Sequence, residues 1–195
     1  MKYFQLRNIS KLLHTFHSEF TKTPIQYSME HIVPQSYIKH IMRDSYLPHH
    51  DMHNIILYPI QLNINRNNYK IVDKTTMKQQ PEIIQYIDTT GNVLSNKPKR
   101  NDYAMKDSIR RLFYPLDMHK GQIARTCAYM CVTYPYLKYI MTNFVFDYQT
   151  LLEWNEQFPP GDYEQQRNEY IAFHQKNENL FIRRPELVDD EIFRI

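Results

Sequence analysis

Residues 28–34 read SMEHIVP and residues 51–66 read DMHNIILYPIQLNINR, and the relation between these two stretches decides the fold. Ile55, Ile56 and Leu57 are consecutive aliphatics with no helical gap, which predicts a buried strand over 54–59. Pro59 suits the opening of a helix, because its missing N–H falls in the turn where no intrahelical acceptor exists. That helix is expected from Gln61 to Tyr69. The earlier stretch is short, partly apolar and closed by Pro34, as a strand end or loop would be. Strand, returning strand and helix make a β-β-α hairpin over about 28–69, with Asn63 on the first turn or so of its helix, facing back toward the strand end.

The chemistry-bearing residues gather in the same stretches. Phosphodiester hydrolysis needs an acceptor for the proton of an attacking water, and a neutral imidazole such as His31 is the usual one. It needs a cation for the crowded phosphate charge, which an acid and a carbonyl oxygen can hold while leaving positions to water and substrate; Glu30 and Asn63 offer these. Neighbours on a strand point to opposite faces, so Glu30 and His31 share a site only if the backbone is irregular there. His49, His50, Asp51 and His53 invite a zinc reading, but their spacing lacks a second ligand group of tetrahedral promise.

Around this centre the 195 residues read as one helix-rich α+β domain, with the small hairpin near residues 30 and 55 as its only essential sheet. Leu6, Ile9, Leu12, Leu13, Phe16 and Phe20 form an amphipathic helical stripe ended by Thr23 and Pro24. IIQYID and NVLS flank a turn signal at Gly91, so a second hairpin is plausible within the irregular stretch 71–102. From about 105 to 182 helical stripes dominate: Ile123, Ala124, Cys127, Met130, Cys131 and Tyr134, then Leu151, Leu152, Trp154 and Phe158. Asp162 with Gln165 resembles a capping box, and the acidic tail from Pro185 to Ile195 is expected to dock loosely or be disordered. Tyr134, Tyr136 and Tyr139 lie among Leu137, Ile140 and Phe144, which favours core packing over a protein-binding face.

Composition narrows the class further. Only 3 glycines and no phosphate-cradling motif argue against nucleotide-driven enzymes. A net charge of +3 is compatible with a polyanionic partner without requiring one. Basic residues cluster at Lys97, Lys99 and Arg100, at Arg110 and Arg111, and at Arg183 and Arg184, where a solvated surface is an equal reading. Cys127 and Cys131 stand four apart on a predicted helix, where a disulfide would be strained, so both are expected in the core. No secretory leader, disulfide framework or membrane span is read, which gives an intracellular, membrane-free expectation.

The quoted residues resemble the endonuclease I family of His-Me finger (ββα-metal) nucleases. That family's pattern is Glu-His-hydrophobic-Val-Pro, then Asp-x-His-Asn, then Asn and Arg further on; Asp51, His53, Asn54, Asn63, Arg66 and Asn68 fall in register without a gap. FYPLDMHKGQIARTCAYM (113–130) and EWNEQFPPGDYEQQRNEYIAFHQKNENLFI (153–182) resemble its later blocks, and the likeness covers about two thirds of the chain. The resemblance implies that His31 activates water, that Glu30 and Asn63 ligate Mg²⁺ (with Mn²⁺ as a substitute), and that Asn54 constrains the catalytic loop. It implies that Arg66 approaches the phosphate or braces the finger. Arg125 and Arg167 match family arginines that either pair internally or face DNA. The segment between His31 and Asp51 is shorter than in the bacterial enzymes and lacks their cysteines; its one arginine, Arg43, is the candidate phosphate contact there. The implied activity is sequence-tolerant, Mg²⁺-dependent cleavage of DNA, with RNA as a second substrate, leaving 5′-phosphate and 3′-hydroxyl ends. An intracellular nuclease would call for an inhibitor or regulatory protein. The rival readings are a nucleic-acid-binding protein that kept the fold without catalysis, and a protein-interaction module.

Overall fold

The computed structural model describes residues 11–17, 26–41, 47–100 and 102–195. Residues 11–17 are helical; Leu6, Ile9, Phe20, Thr23 and Pro24, and with them the ends of the expected first helix, lie outside the described residues, as does Arg43. Strand β1 (Tyr27–His31) pairs antiparallel with β2 (Ile55–Pro59), Glu30 opposite Ile56 and His31 opposite Ile55. Every residue of β2 is buried, as three unbroken aliphatics require. The helix that follows spans Ile60–Arg66. Pro59 is the last strand residue and caps the helix from outside. Its end comes earlier than expected because Asn67 takes φ 53 with ψ −137, which turns the chain off the helical path. We call this helix α2, and α1 the helix Gln35–Ile41 that follows β1.

The strands β3 (Lys70–Ile71), β4 (Gln85–Ile87), β5 (Val93–Leu94), β6 (Ala104–Asp107) and β7 (Leu112–Tyr114) form a second sheet in the order β3-β7-β6-β4-β5. All neighbours are antiparallel except β3 and β7. The β4–β5 hairpin is the one expected around Gly91; β3, β6 and β7 extend it into a five-stranded sheet beyond the expected hairpins. Strands of two to four residues are too short to show an alternation, and β6 and β7 are joined by a tight turn in which Asp107 accepts from the backbone N–H groups of Ile109 and Arg110 at 2.9 Å.

Three long helices complete the molecule: α3 (Asp117–Thr133), α4 (Tyr148–Gln157) and α5 (Asp162–Gln175). Helix α3 is buried on nearly all sides, the signature of a central helix, and both cysteines are free within its core surface. One apolar cluster runs from the finger (Ile32, Ile56, Leu62) through the sheet (Ile71, Phe113) to the helices (Ile123, Leu151). The capping box is not formed: Gly161 is the N-cap of α5, and Asp162 sits in the first turn, where its charge favours the helix dipole. The tail is ordered, not loose. Its Phe193 is buried against Phe146 and Tyr148, and Asn155 donates to the Pro185 carbonyl at 2.8 Å. Tyr136, Tyr139 and Phe144 are exposed, so the core assignment holds for Leu137 but not for them. No helix among the described residues is long and apolar enough to cross a membrane.

Candidate active site

The strand β1 ends at His31, and the chain bends over Ile32 and Val33 before α1. Asn54 fixes that bend. Its Oδ1 accepts from the Val33 N–H at 2.8 Å, its Nδ2 donates to the Val33 carbonyl at 3.1 Å, and its own carbonyl accepts from the Ile32 N–H at 3.0 Å. The bend answers the strand-alternation problem: at a strand end both neighbours reach one open depression of about 340 Å³, lined by Glu30, His31, Gln35, Asn63, Arg66 and Asn68, among others.

His31 Nε2 lies 3.0 Å from the His49 carbonyl oxygen. A carbonyl can only accept, so this contact selects the Nε2–H tautomer and leaves Nδ1 with a lone pair. The Gln35 amide is 3.0 Å from the same nitrogen, and in that tautomer it must turn its oxygen toward the ring. Burial lowers the imidazole pKa to about 4, opposed by the His49 hydrogen bond and assisted by the nearby charge of Arg66, so the ring is neutral at physiological pH. Sequence reasoning missed Gln35 and His49. His49 acts through its backbone, so the residue's identity carries no signal of the role.

Glu30 is only 4% exposed. Arg66 Nη1 lies 3.0 Å from its Oε1, but that oxygen has no hydrogen-bond partner, and Arg66 aims its donors at the Asn67 and Ile32 carbonyls at 2.8 and 2.6 Å. Burial outweighs the guanidinium and raises the Glu30 pKa to about 7. Of the two roles expected for Arg66, the geometry is that of a brace. Asn63 donates through Nδ2 to Ser28 Oγ at 2.9 Å and to the Met29 carbonyl at 3.0 Å. Its Oδ1 takes no hydrogen bond from the described residues. The residues present therefore suit a divalent cation: a buried carboxylate balanced by one guanidinium and an oriented amide oxygen are hard donors that leave most positions to water and substrate.

Asp51, His53, Arg125 and Arg167 serve elsewhere. Asp51 accepts from Tyr129 and Tyr134 hydroxyls at 2.8 Å and from Gln175 at 2.7 Å, docking the finger loop on α3 and α5. Among the described residues, no three His, Cys, Asp or Glu gather to hold a metal, so the zinc reading finds no support. Arg125 grips Glu164 through two hydrogen bonds of 2.8 and 2.6 Å and also reaches Asn155 and the Phe158 carbonyl. Arg167 donates to the Met52 carbonyl at 2.7 Å and to that of Ile55. Both are at most 2% exposed, so of the two roles expected for them the geometry is that of internal pairing, which corrects their candidacy as substrate contacts: their donors are spent inside the protein.

An imidazole with a free lone pair, a buried acid and an amide oxygen at the mouth of a β-β-α hairpin are the equipment of a hydrolase. The family comparison agrees, since the model of the endonuclease I family matches residues 14–186. The chain belongs to the endonuclease I family, and its class is that of hydrolases acting on nucleic acids. No curated protein matches it.

Proposed function

We propose that the protein is a metal-dependent endonuclease that hydrolyses DNA, and RNA as a second substrate, with little sequence specificity. The observation that carries this reading is the buried Glu30 carboxylate, ion-paired to Arg66 at 3.0 Å, in the depression shared with His31 and Asn63. Glu30 and Asn63 would hold a divalent cation, which would supply charge stabilisation to the phosphate and the departing oxygen. His31, held through Nε2–H by the His49 carbonyl, accepts at Nδ1 the proton of the attacking water. The water oxygen joins phosphorus, the bond from phosphorus to O3′ breaks, and O3′ takes a proton from solvent water, giving 5′-phosphate and 3′-hydroxyl ends. Asn54 holds the bend that carries His31, and Arg66 ties Glu30 to the Ile32 carbonyl. Phosphate and groove-shape contacts carry no sequence information directly, which accounts for tolerant cleavage.

Nicking of supercoiled plasmid tests the reading. Cleavage is expected in Mg²⁺ or Mn²⁺ and none in excess chelator. A protein that binds DNA yet leaves it intact in both metals would instead be a binding protein that kept the fold without catalysis.

A further inference from the structure

The turn between β6 and β7 carries Arg110 and Arg111, a basic pair that the proposed site does not use. The two behave differently. Arg110 is spent on Asp107 and on the Thr76 and Met77 carbonyls at 3.4 and 3.0 Å. Arg111 takes φ 58, and its exposed guanidinium leaves the turn to donate to Asn68 Oδ1, with its central carbon 5.4 Å from the centre of the Tyr69 ring. Lys106 approaches the same ring at 5.8 Å and donates to Asn65 Oδ1 at 3.3 Å. Asn68 also lines the depression holding Glu30 and His31, so Arg111 stands beside its rim, and Lys106 shares the Tyr69 ring with Arg111.

Their partners differ from those of the C-terminal arginines. Arg183, Arg184 and Arg194, exposed near the C-terminus, are each paired with a carboxylate: Glu178, Glu186, and Asp190 with Glu191. Among the described residues Arg111 and Lys106 have no acidic partner. Amide oxygens and an aromatic face hold them, which orients a cation without neutralising it. A planar guanidinium held that way is matched to two phosphate oxygens.

We propose that Arg111 and Lys106, braced by Tyr69, Asn68 and Asn65, bind a backbone phosphate of the nucleic acid flanking the scissile one. The inference rests on the nuclease reading and adds a substrate subsite to it. These are positioning residues: they act on affinity and register, not on the bond that breaks.

The test is a salt series of duplex DNA binding in Ca²⁺, in a His31→Ala background, paired with cleavage kinetics in the otherwise unaltered protein. Arg111→Gln and Lys106→Gln together should flatten the log–log salt slope by about 0.9, one phosphate contact's worth, and each alone should flatten it by part of that. Both should raise KM and leave the single-turnover rate at saturating DNA unchanged. Arg111→Lys should keep the slope, and Arg184→Gln should change neither quantity. Should Arg111→Gln fold poorly, Lys106→Gln carries the same test. Slopes equal to that of the unaltered protein, or a fall in saturating rate with KM unmoved, would overturn the subsite while Mg²⁺-dependent cleavage still stood. If the protein neither binds nor cleaves DNA or RNA, the nuclease reading fails and this one goes with it.

Discussion

Gly91 turns the chain between β4 and β5 at φ 97, and its Cα lies against the backbone of α2: a Cβ there would come within 2.2 Å of the Leu62 nitrogen. Its carbonyl accepts from Asn65 at 2.9 Å. The hairpin thus rests on the helix that carries Asn63 and Arg66. Gly91→Ala must either strain the turn or push α2 away, so a loss on the order of 2–4 kcal/mol is expected, within the range of strained-backbone and overpacking changes. Chemical denaturation measures it, and a variant as stable as the parent would show that the turn can move freely. At this scale the sequence was informative about the site. Glu30, His31, Asn54, Asn63 and Arg66 lie together around the hairpin mouth, because one hairpin and its helix dictate that proximity. Arg125 and Arg167 were ambiguous, since an arginine's partner may come from any distant segment, and here Glu164 and the Met52 carbonyl are brought in by tertiary packing alone.

Among the elements, β2 and the long helices were legible from their apolar patterns, α2 from Pro59 at its opening and β1 from the Pro34 that closes its stretch. The strands β3, β6 and β7 were not, since two to four residues hold no periodicity, and their pairing depends on contacts far along the chain. The docked tail was equally hidden: one buried Phe193 fixes it, within a stretch whose acidic composition reads as solvated. The helices are locked together through Arg125, which lies on α3, pairs with Glu164 on α5 and reaches Asn155 on α4. Arg125→Ala leaves the Glu164 carboxylate, 7% exposed, without its partner. A destabilisation of about 3–5 kcal/mol is expected for breaking one side of such a pair. Replacing both Arg125 and Glu164 by apolar residues of similar volume should recover much of it. A double-mutant cycle in thermal unfolding measures this, and an Arg125→Ala protein of unchanged Tm would refute the locking role.

Over the whole molecule, stability should depend on acid through buried histidines. His119, packed on Tyr58 at 4.3 Å, is lowered to about 4 by burial alone, and His31 and His53 are lowered to about 4 mainly by burial. Each folded pKa lies below the ordinary value of 6.5, so the unfolded chain binds more protons and the stability these groups contribute is full above 6.5 and lost as pH falls toward 4. The slope is at most roughly 1.4 kcal/mol per pH unit for each histidine. Glu30, raised to about 7, works the opposite way between 4.5 and 7, and the three histidines together exceed it. Urea unfolding from pH 7 to 4.5 should show the decline, and His119→Phe, which removes one titrating ring from the core, should flatten it. Identical slopes for the two proteins would mean that His119 does not remain neutral in the fold.

The central claim is that His31 serves the water while Glu30 and Asn63 serve the cation. A Mg²⁺ titration of single-turnover DNA nicking separates these roles for His31→Ala, Glu30→Ala and Asn63→Ala. The first should lower the saturating rate by roughly 10²–10⁴, the range for loss of a general base, with its half-maximal Mg²⁺ concentration unchanged. The other two should raise that concentration, Glu30→Ala the more because it removes a charge as well as an oxygen. A His31→Ala protein that keeps near-full activity, or whose metal requirement shifts most of the three, would contradict the assignment.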